Sequence, residues 1–239
     1  LAFTKPTTSK RAGLNPRKLP KLLTLELATR KSPPPRRPKK NPNPKRKRSK
    51  PPDPQVKRFM ISQVLVPLAH GFEEIEATCP IDLLRRAEVE VVTASCESEL
   101  EVCGRSGIVI RADKFIGDSD LIQFDLLVLP GGPAIFELRK NESFLHFIKD
   151  FSDLQRPIAA ICAAPLLLHD LGLLAGKRVT GHESISNELP GLHSNQAVIK
   201  DGKIITSRGA GTAIEFGLSL VELLCGSVKA EEIRASIHA

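Results

Sequence analysis

The sequence predicts an α/β domain with a mostly parallel sheet covered by helices on both faces. Three observations lead there. From Phe59 onward, apolar β-branched runs alternate with stretches of helical periodicity, the pattern of a parallel sheet joined by crossover helices. Two of those runs, Phe59–Leu68 and Phe124–Leu129, are too evenly apolar to keep one wet face, so they read as buried strands. Three strand ends carry residues with chemical potential: the Glu73–Glu76 segment, Gly131-Gly132 and Cys162. In parallel sheets, chemistry gathers at the carboxyl ends of the strands.

In order along the chain, Phe59–Leu68 is the first expected strand, ending at His70-Gly71-Phe72. Glu73-Glu74-Ile75-Glu76 then opens a helical stretch to Arg86. Val89–Ala94 is a second strand, Gly107–Ile110 a weaker one, and Phe124–Leu129 a strong one that stops at Pro130-Gly131-Gly132-Pro133. Helical patterns cover Ala134–Lys140 and Glu142–Leu154. An apolar run from Pro157 ends at Cys162, and Leu166–Leu174 follows as a leucine-rich helix. Arg178–Thr180 is expected as a short strand and Ala197–Thr206 as a hairpin around Asp201-Gly202. An apolar helix, Gly211–Leu224, and a charged helix or turn, Lys229–Ile237, complete the domain.

Charge divides the 239 residues unevenly. Residues 1–58 hold 19 Lys and Arg against Glu26 and Asp53, a net +17, whereas residues 59–239 carry −9. Twelve of the 19 prolines also lie in 1–58. Such a segment cannot bury enough apolar surface to fold, so 1–58 is expected to be a disordered basic linker and 59–235 a single α/β domain. The scarcity of acids in residues 1–30 resembles an organelle transit peptide, with the chloroplast as the expected location and the mitochondrion as an alternative. The cluster Lys45-Arg46-Lys47-Arg48 supports a rival reading, a nuclear-localisation or nucleic-acid-binding arm. No aromatic side chain stands among these basic residues to stack on bases, so specific nucleic-acid recognition is not expected. No apolar stretch reaches the length of a membrane span. The chain begins at Leu1 rather than Met, as a piece of a longer protein would, and a second domain beyond Ala239 stays open. The five cysteines, an odd number without C-x-x-C spacing, read as reduced thiols rather than a disulfide framework.

The sequence is organised around Pro157-Ile158-Ala159-Ala160-Ile161-Cys162-Ala163-Ala164-Pro165. Small residues two positions either side of Cys162 meet the steric demand of a nucleophile elbow, where the chain turns sharply from strand to helix. Pro165 suits the first turn of that helix. Free N–H groups and the helix dipole at this spot favour a thiolate. Gly131-Gly132 can turn a backbone N–H inward, and with the N–H of Ala163 would form an oxyanion site beside the sulfur. Glu76, if it faces the thiol, would be held partly protonated by the neighbouring negative charge and could shuttle a proton. His182 is the best-placed histidine for a second acid–base role; His70 and His169 are weaker candidates, and His146, His193 and His238 read as surface residues. No spacing of metal ligands is visible, and neither metal nor cofactor is expected.

Five ordered motifs carry a family resemblance. They are Gly71–Glu76, Leu129–Gly132, Ala159–Pro165, Val179-Thr180-Gly181-His182 and Thr206–Thr212. In this order they resemble the ThiJ/PfpI superfamily, in the branch of the Parkinson-disease protein deglycase (DJ-one). The resemblance implies a flavodoxin-like three-layer sandwich and pairing as a homodimer or as tandem domains. By the same resemblance Cys162 is the oxidation-prone nucleophile, Glu76 its protonated partner, His182 the neighbouring histidine, and Gly132 and Ala163 the oxyanion amides. The implied activities are cofactor-independent conversion of methylglyoxal or glyoxal to a hydroxy acid, removal of early glycation adducts, and redox-regulated protection. A non-catalytic plastid member of the family is the third reading. Two departures stand out. Ala164 occupies a position the family usually gives to Gly, and Ala163 stands where the peptidase-like branch has His. His182-Glu183-Ser184 also lacks the His-x-Glu pair of the related amidotransferases, which argues against a hydrolytic triad.

Overall fold

The computed structural model describes residues 62–193 and 195–239. The expected tail 1–58, and residues 59–61 of the first expected strand, lie outside the described residues. The strands are β1 (Gln63–Leu68), β2 (Glu90–Ser95), β3 (Glu101–Cys103), β4 (Val109–Arg111), β5 (Lys114–Phe115), β6 (Leu126–Leu129), β7 (Ile158–Ile161), β8 (Val198–Asp201) and β9 (Ile204–Ser207). The helices are α1 (Glu74–Arg86), α2 (Ala134–Leu138), α3 (Glu142–Asp153), α4 (Pro165–Asp170), α5 (Ala213–Cys225) and α6 (Ser227–Ser236). Seven strands form one sheet in the order β5-β2-β1-β6-β7-β9-β8, and β3 pairs with β4 apart from it. Every pairing in the main sheet is parallel except β8 with β9. This is the mostly parallel α/β sandwich the sequence predicts.

The evenly apolar strands serve both layers at once. Val64, Val66 and Leu68 of β1 join one core with Ala77 and Leu84 of α1, Phe216 and Leu220 of α5, and Ile233 of α6. Leu65, the intervening residue, faces the other core with Ile135 of α2, Ile148 of α3 and Leu167 of α4. Successive side chains point to opposite faces of a strand, so each face needs its own apolar residues. Cys162 packs against both cores. Among the described residues no helix is long and apolar enough to cross a membrane.

Three local expectations change. The leucine-rich helix stops at Asp170 instead of Leu174. Gly172 adopts φ 70, and its N–H bonds His169 O at 2.8 Å, the left-handed ending that glycine permits. Arg178–Thr180 forms no strand. Its amides take side-chain acceptors, Arg178 N–H to Asp201 Oδ2 and Thr180 N–H to Thr206 Oγ1, both at 2.9 Å. The weak strand near Gly107–Ile110 is β4, half of an antiparallel hairpin whose other half, β3, shows too little apolar patterning to be read in advance.

Candidate active site

Four neighbouring parallel strands, β1, β6, β7 and β9, release the chain at one edge of the sheet. Glu76 follows β1, Gly131-Gly132 follow β6, Cys162 follows β7 and Gly209 follows β9. The topology therefore gathers residues that are far apart in sequence. At the start of α1, Glu73 caps the helix by accepting the N–H of Glu76 at 2.7 Å. The cap draws Glu76 into the interior, where it is 1% exposed.

Cys162 makes the turn from β7 to α4 at φ 65, a left-handed conformation costly for a residue with a side chain. Both of its backbone polar groups are tied down. Its N–H donates to Ser207 O and its carbonyl accepts from His182 N–H, each at 2.9 Å. Ala164 sits in right-handed helical geometry at φ −60, so its methyl group, unusual for the resembled family, causes no backbone strain there. The N–H groups of Ala163 and Gly132 stand near enough to the sulfur to favour its ionised form, which brings together the expected pair of amides.

The loop after β6 approaches so closely that it requires glycine. A methyl at Gly131 would lie 2.6 Å from Glu76 Oε2 and 2.7 Å from the Cys162 Cβ. At Gly132, with φ 102, it would meet Gly71 O at 2.5 Å and Glu73 N at 2.6 Å. The N–H of Gly131 donates to Glu76 Oε2 at 3.0 Å, so the two glycine amides divide between carboxyl and thiol.

The carboxyl and the thiol shape each other. Burial pushes the Glu76 carboxyl up to about 7; the hydrogen bond with Cys162 opposes the rise, the Glu73 charge adds to it, and the N–H groups of Gly131 and Ala210 hold it down. Burial pushes the Cys162 thiol up to about 12, with the charge and hydrogen bond of Glu76 adding to the rise; the amides of Ala163 and Gly132 pull it back. The sequence reading expects a standing thiolate. In the resting site burial and the facing carboxylate outweigh the amides, and α4, only six residues long, brings little help.

His182 is more exposed and stands at the rim. Its Nδ1 accepts the Ser184 N–H at 3.2 Å and lies 2.9 Å from Ser184 Oγ, which leaves Nε2 to carry the ring proton. A methyl placed on Gly209 would lie 3.5 Å from Glu76 Oε1, 3.6 Å from His182 Cδ2 and 3.9 Å from Cys162 Sγ. The three expected catalytic side chains thus surround one small space, which a side chain at 209 would fill. Beside it opens a cleft of about 400 Å³ lined by Gly181–Glu183 and Arg208–Thr212. His70 is engaged elsewhere, its Nδ1 accepting the Cys103 N–H at 3.0 Å. The N–H of Gly131, half of the pair expected to face the sulfur, holds the carboxyl instead, and Gly209 and Ala210 have no role in the sequence reading although they lie inside a motif it singles out. Among the described residues no cluster of three His, Cys, Asp or Glu could hold a metal ion.

The raised Glu76 carboxyl gives a sign to test. Its folded value lies above its unfolded one, so the stability it contributes is present below the unfolded value and lost as pH rises through about 7. Glu76→Gln never ionises, so its melting temperature should gain on wild type as pH rises from about 5 to about 8. A gap between the two proteins that stays constant over this range would show that Glu76 is not held as an acid.

Comparison with known proteins agrees with this geometry. Residues 62–223 match the DJ-1/PfpI family. The chain is 38% identical over 170 residues to Protein DJ-1 homolog B of Arabidopsis thaliana, covering 70% of this chain and 39% of that one. It is 41% identical over 175 residues to Protein DJ-1 homolog A of the same plant, covering 71% and 45%. The chain thus spans less than half the length of these two plant relatives. Protein dj-1beta of Drosophila melanogaster is 37% identical over 179 residues, covering 73% of this chain and 95% of the fly protein. Among solved structures, oxidized Toxoplasma gondii DJ-1 superposes with a TM-score of 0.70 at 37% identity, over 74% of this chain and 97% of that one. The Drosophila DJ-1beta crystal structure gives 0.71 at 34% identity, over 74% and 98%. Fold, elbow and ordered motifs lead to one conclusion: this chain belongs to the DJ-1/PfpI family.

Proposed function

We propose that this protein is a cofactor-independent, cysteine-dependent glyoxalase or deglycase acting on methylglyoxal, glyoxal or early glycation adducts. The observation that carries the reading is a half-buried thiol on a strained elbow, faced by a carboxyl poised near neutrality and by two backbone N–H donors. The Glu76 carboxylate takes the thiol proton as Sγ bonds to the aldehyde carbon of the α-oxoaldehyde. The carbonyl electron pair moves onto oxygen, where the N–H groups of Gly132 and Ala163 stabilise it. The hydrogen on that carbon then leaves as a proton and is returned to the neighbouring carbonyl carbon, with Glu76 and His182 as carriers. This converts the hemithioacetal into the thioester of a 2-hydroxy acid. Water cleaves the thioester, releasing the acid and restoring the thiol. The net change is addition of one water molecule, with no outside oxidant or reductant.

The same site supports a second reading, a redox-sensing protective protein in which Cys162 is oxidised and Glu76 hydrogen-bonds the product. A solved relative, Toxoplasma gondii DJ-1, carries the description "oxidized". Purified protein separates the two readings. Lactate should form from methylglyoxal with wild type and fall to background with Cys162→Ala. Wild-type turnover no higher than that of the variant would reject the enzyme; unchanged peroxide sensitivity in Cys162→Ala would reject the sensor.

A second copy of this fold, in trans or in tandem, is the proposed partner. Ile75, Ile108 and Val109 are 53%, 57% and 56% exposed around the start of α1 and the β3–β4 hairpin. Nearby Glu74, 6% exposed, accepts the Ser106 N–H at 2.7 Å through Oε1, while its buried Oε2 has no hydrogen-bond partner. Burial acts to raise the Glu74 carboxyl, but donors from Ser106 and Ile108 outweigh it and hold the group below its ordinary value. A donor from a second copy would satisfy the orphan oxygen as the apolar side chains are covered. Light scattering should give a dimer for wild type and a monomer for Val109→Asp; a monomeric wild type at micromolar concentration would remove the pairing in trans.

The chloroplast is the proposed location, supported by the composition of residues 1–30. A fluorescent fusion of the full chain should accumulate in plastids, and exclusively nuclear fluorescence would favour the basic cluster Lys45–Arg48 as a nuclear signal.

A further inference from the structure

One ion-pair cluster ties together the segments that build the site. Arg139 caps the end of α2, Asp170 is the last residue of α4, and Glu188 lies just beyond the short 3-10 turn that His182 caps. Arg139 grips Asp170 with a two-pronged fork, Nε to Oδ2 at 2.6 Å and Nη2 to Oδ1 at 2.8 Å. Its Nη1 reaches Glu188 Oε2 at 2.8 Å. The side chains of Arg139 and Asp170 are only 21% and 24% exposed, that of Glu188 48%.

The placement matters because the tied elements are short. α2 has five residues and α4 six, too few for helical hydrogen bonds alone to fix their direction. α2 begins two residues after Gly132, and α4 three residues after Cys162. A bidentate Arg–carboxylate pair constrains angle as well as distance, so fixing the far ends of two one-turn helices aims their near ends. Those near ends carry the N–H groups of Gly132 and Ala163, which favour the ionised sulfur. The third leg, Glu188, anchors the segment that begins at His182.

We propose that Arg139 is a positioning residue for the active site: its fork to Asp170 and its bond to Glu188 set the spacing of the Gly132 and Ala163 amides and the seat of His182. It touches neither substrate nor sulfur. The inference builds on Cys162 as the reactive group, yet it can be tested without any turnover. If the amides drift apart they stabilise the thiolate less, and Cys162 becomes harder to ionise at a given pH. General loosening does the opposite, since an opened site exposes the thiol.

The experiment follows iodoacetamide labelling of each cysteine by peptide mass spectrometry in the full chain, wild type against Arg139→Met. Labelling of Cys162 at about pH 8 should slow roughly threefold or more, while the half-buried Cys79 and Cys96, which lie outside the site, label at wild-type rates. With methylglyoxal as substrate, kcat should fall roughly tenfold or more with KM little changed. Arg139→Lys, which keeps the charge but loses the fork, should recover only part of the labelling rate. If Arg139→Met does not fold, Asp170→Asn carries the same measurement. A lower melting temperature with unchanged or faster Cys162 labelling would overturn the proposal and leave the cluster a stabilising one. Slowed labelling in a protein whose wild type makes no lactate would uphold the positioning role while rejecting the glyoxalase reading.

Discussion

The contact on which this site depends is the approach of the Glu76 carboxyl to Cys162 across a loop that has no side chains. Atoms at Gly131 and Gly132 beyond their backbones would collide with the carboxyl, the cysteine and the backbone of Gly71–Glu73. Two glycines let the end of β6 wedge between the start of α1 and the elbow. The Gly131 N–H then fixes the carboxyl, and the Gly132 N–H favours the ionised sulfur. Burial does the remaining work, since a carboxyl 1% exposed is costly to ionise and so can hold or release a proton near neutral pH.

Backbone strain at the nucleophile is part of the same arrangement. Among the described residues, Glu88, Gln155, Cys162 and His238 are the non-glycine positions with positive φ. Glu88, Gln155 and His238 are exposed, whereas Cys162 is half-buried. Such a conformation costs of order 1–3 kcal/mol and persists only when its surroundings over-determine it. The surroundings here are Ser207 O, which holds its N–H, and His182 N–H, which holds its carbonyl. The elbow is thereby tied to the end of β9 on one side and to the histidine segment on the other.

Most of this was legible in the residues because the strongest signals are local. Strand-to-helix alternation, the small residues around Cys162 and the glycine pair after β6 each state a steric requirement that sequence alone expresses. The less legible parts depend on what neighbours do. Leu171–Leu174 is as apolar as the helix before it, and only the left-handed Gly172 shows that the chain has turned away. Arg178–Thr180 has strand-like residues, but Asp201 and Thr206 supply side-chain acceptors that replace a ladder. The upward push on the Cys162 thiol was out of reach for a related reason. Helix and amide effects can be read along the chain, whereas the opposing charge comes from Glu76, 86 positions earlier, across the sheet edge. Gly209 and Ala210 were visible as a motif without a purpose until β9 was seen to deliver them beside the sulfur. Arg139 gave no signal of its own, because its two carboxylate partners belong to different elements.

The position of Cys162 at the seam of two packed layers has one more consequence. Its side chain leans on both the α1–α5–α6 core and the α2–α3–α4 core, and interiors packed to crystal-like density resist added volume. Anything covalently attached to the sulfur, whether oxygen atoms or a carbon adduct, must find its room in the narrow gap left open at Gly209 or press on both layers together. The fold thus sets a direction for its own reaction products: a small group fits the gap at Gly209, and a larger one has to extend into the cleft beside it.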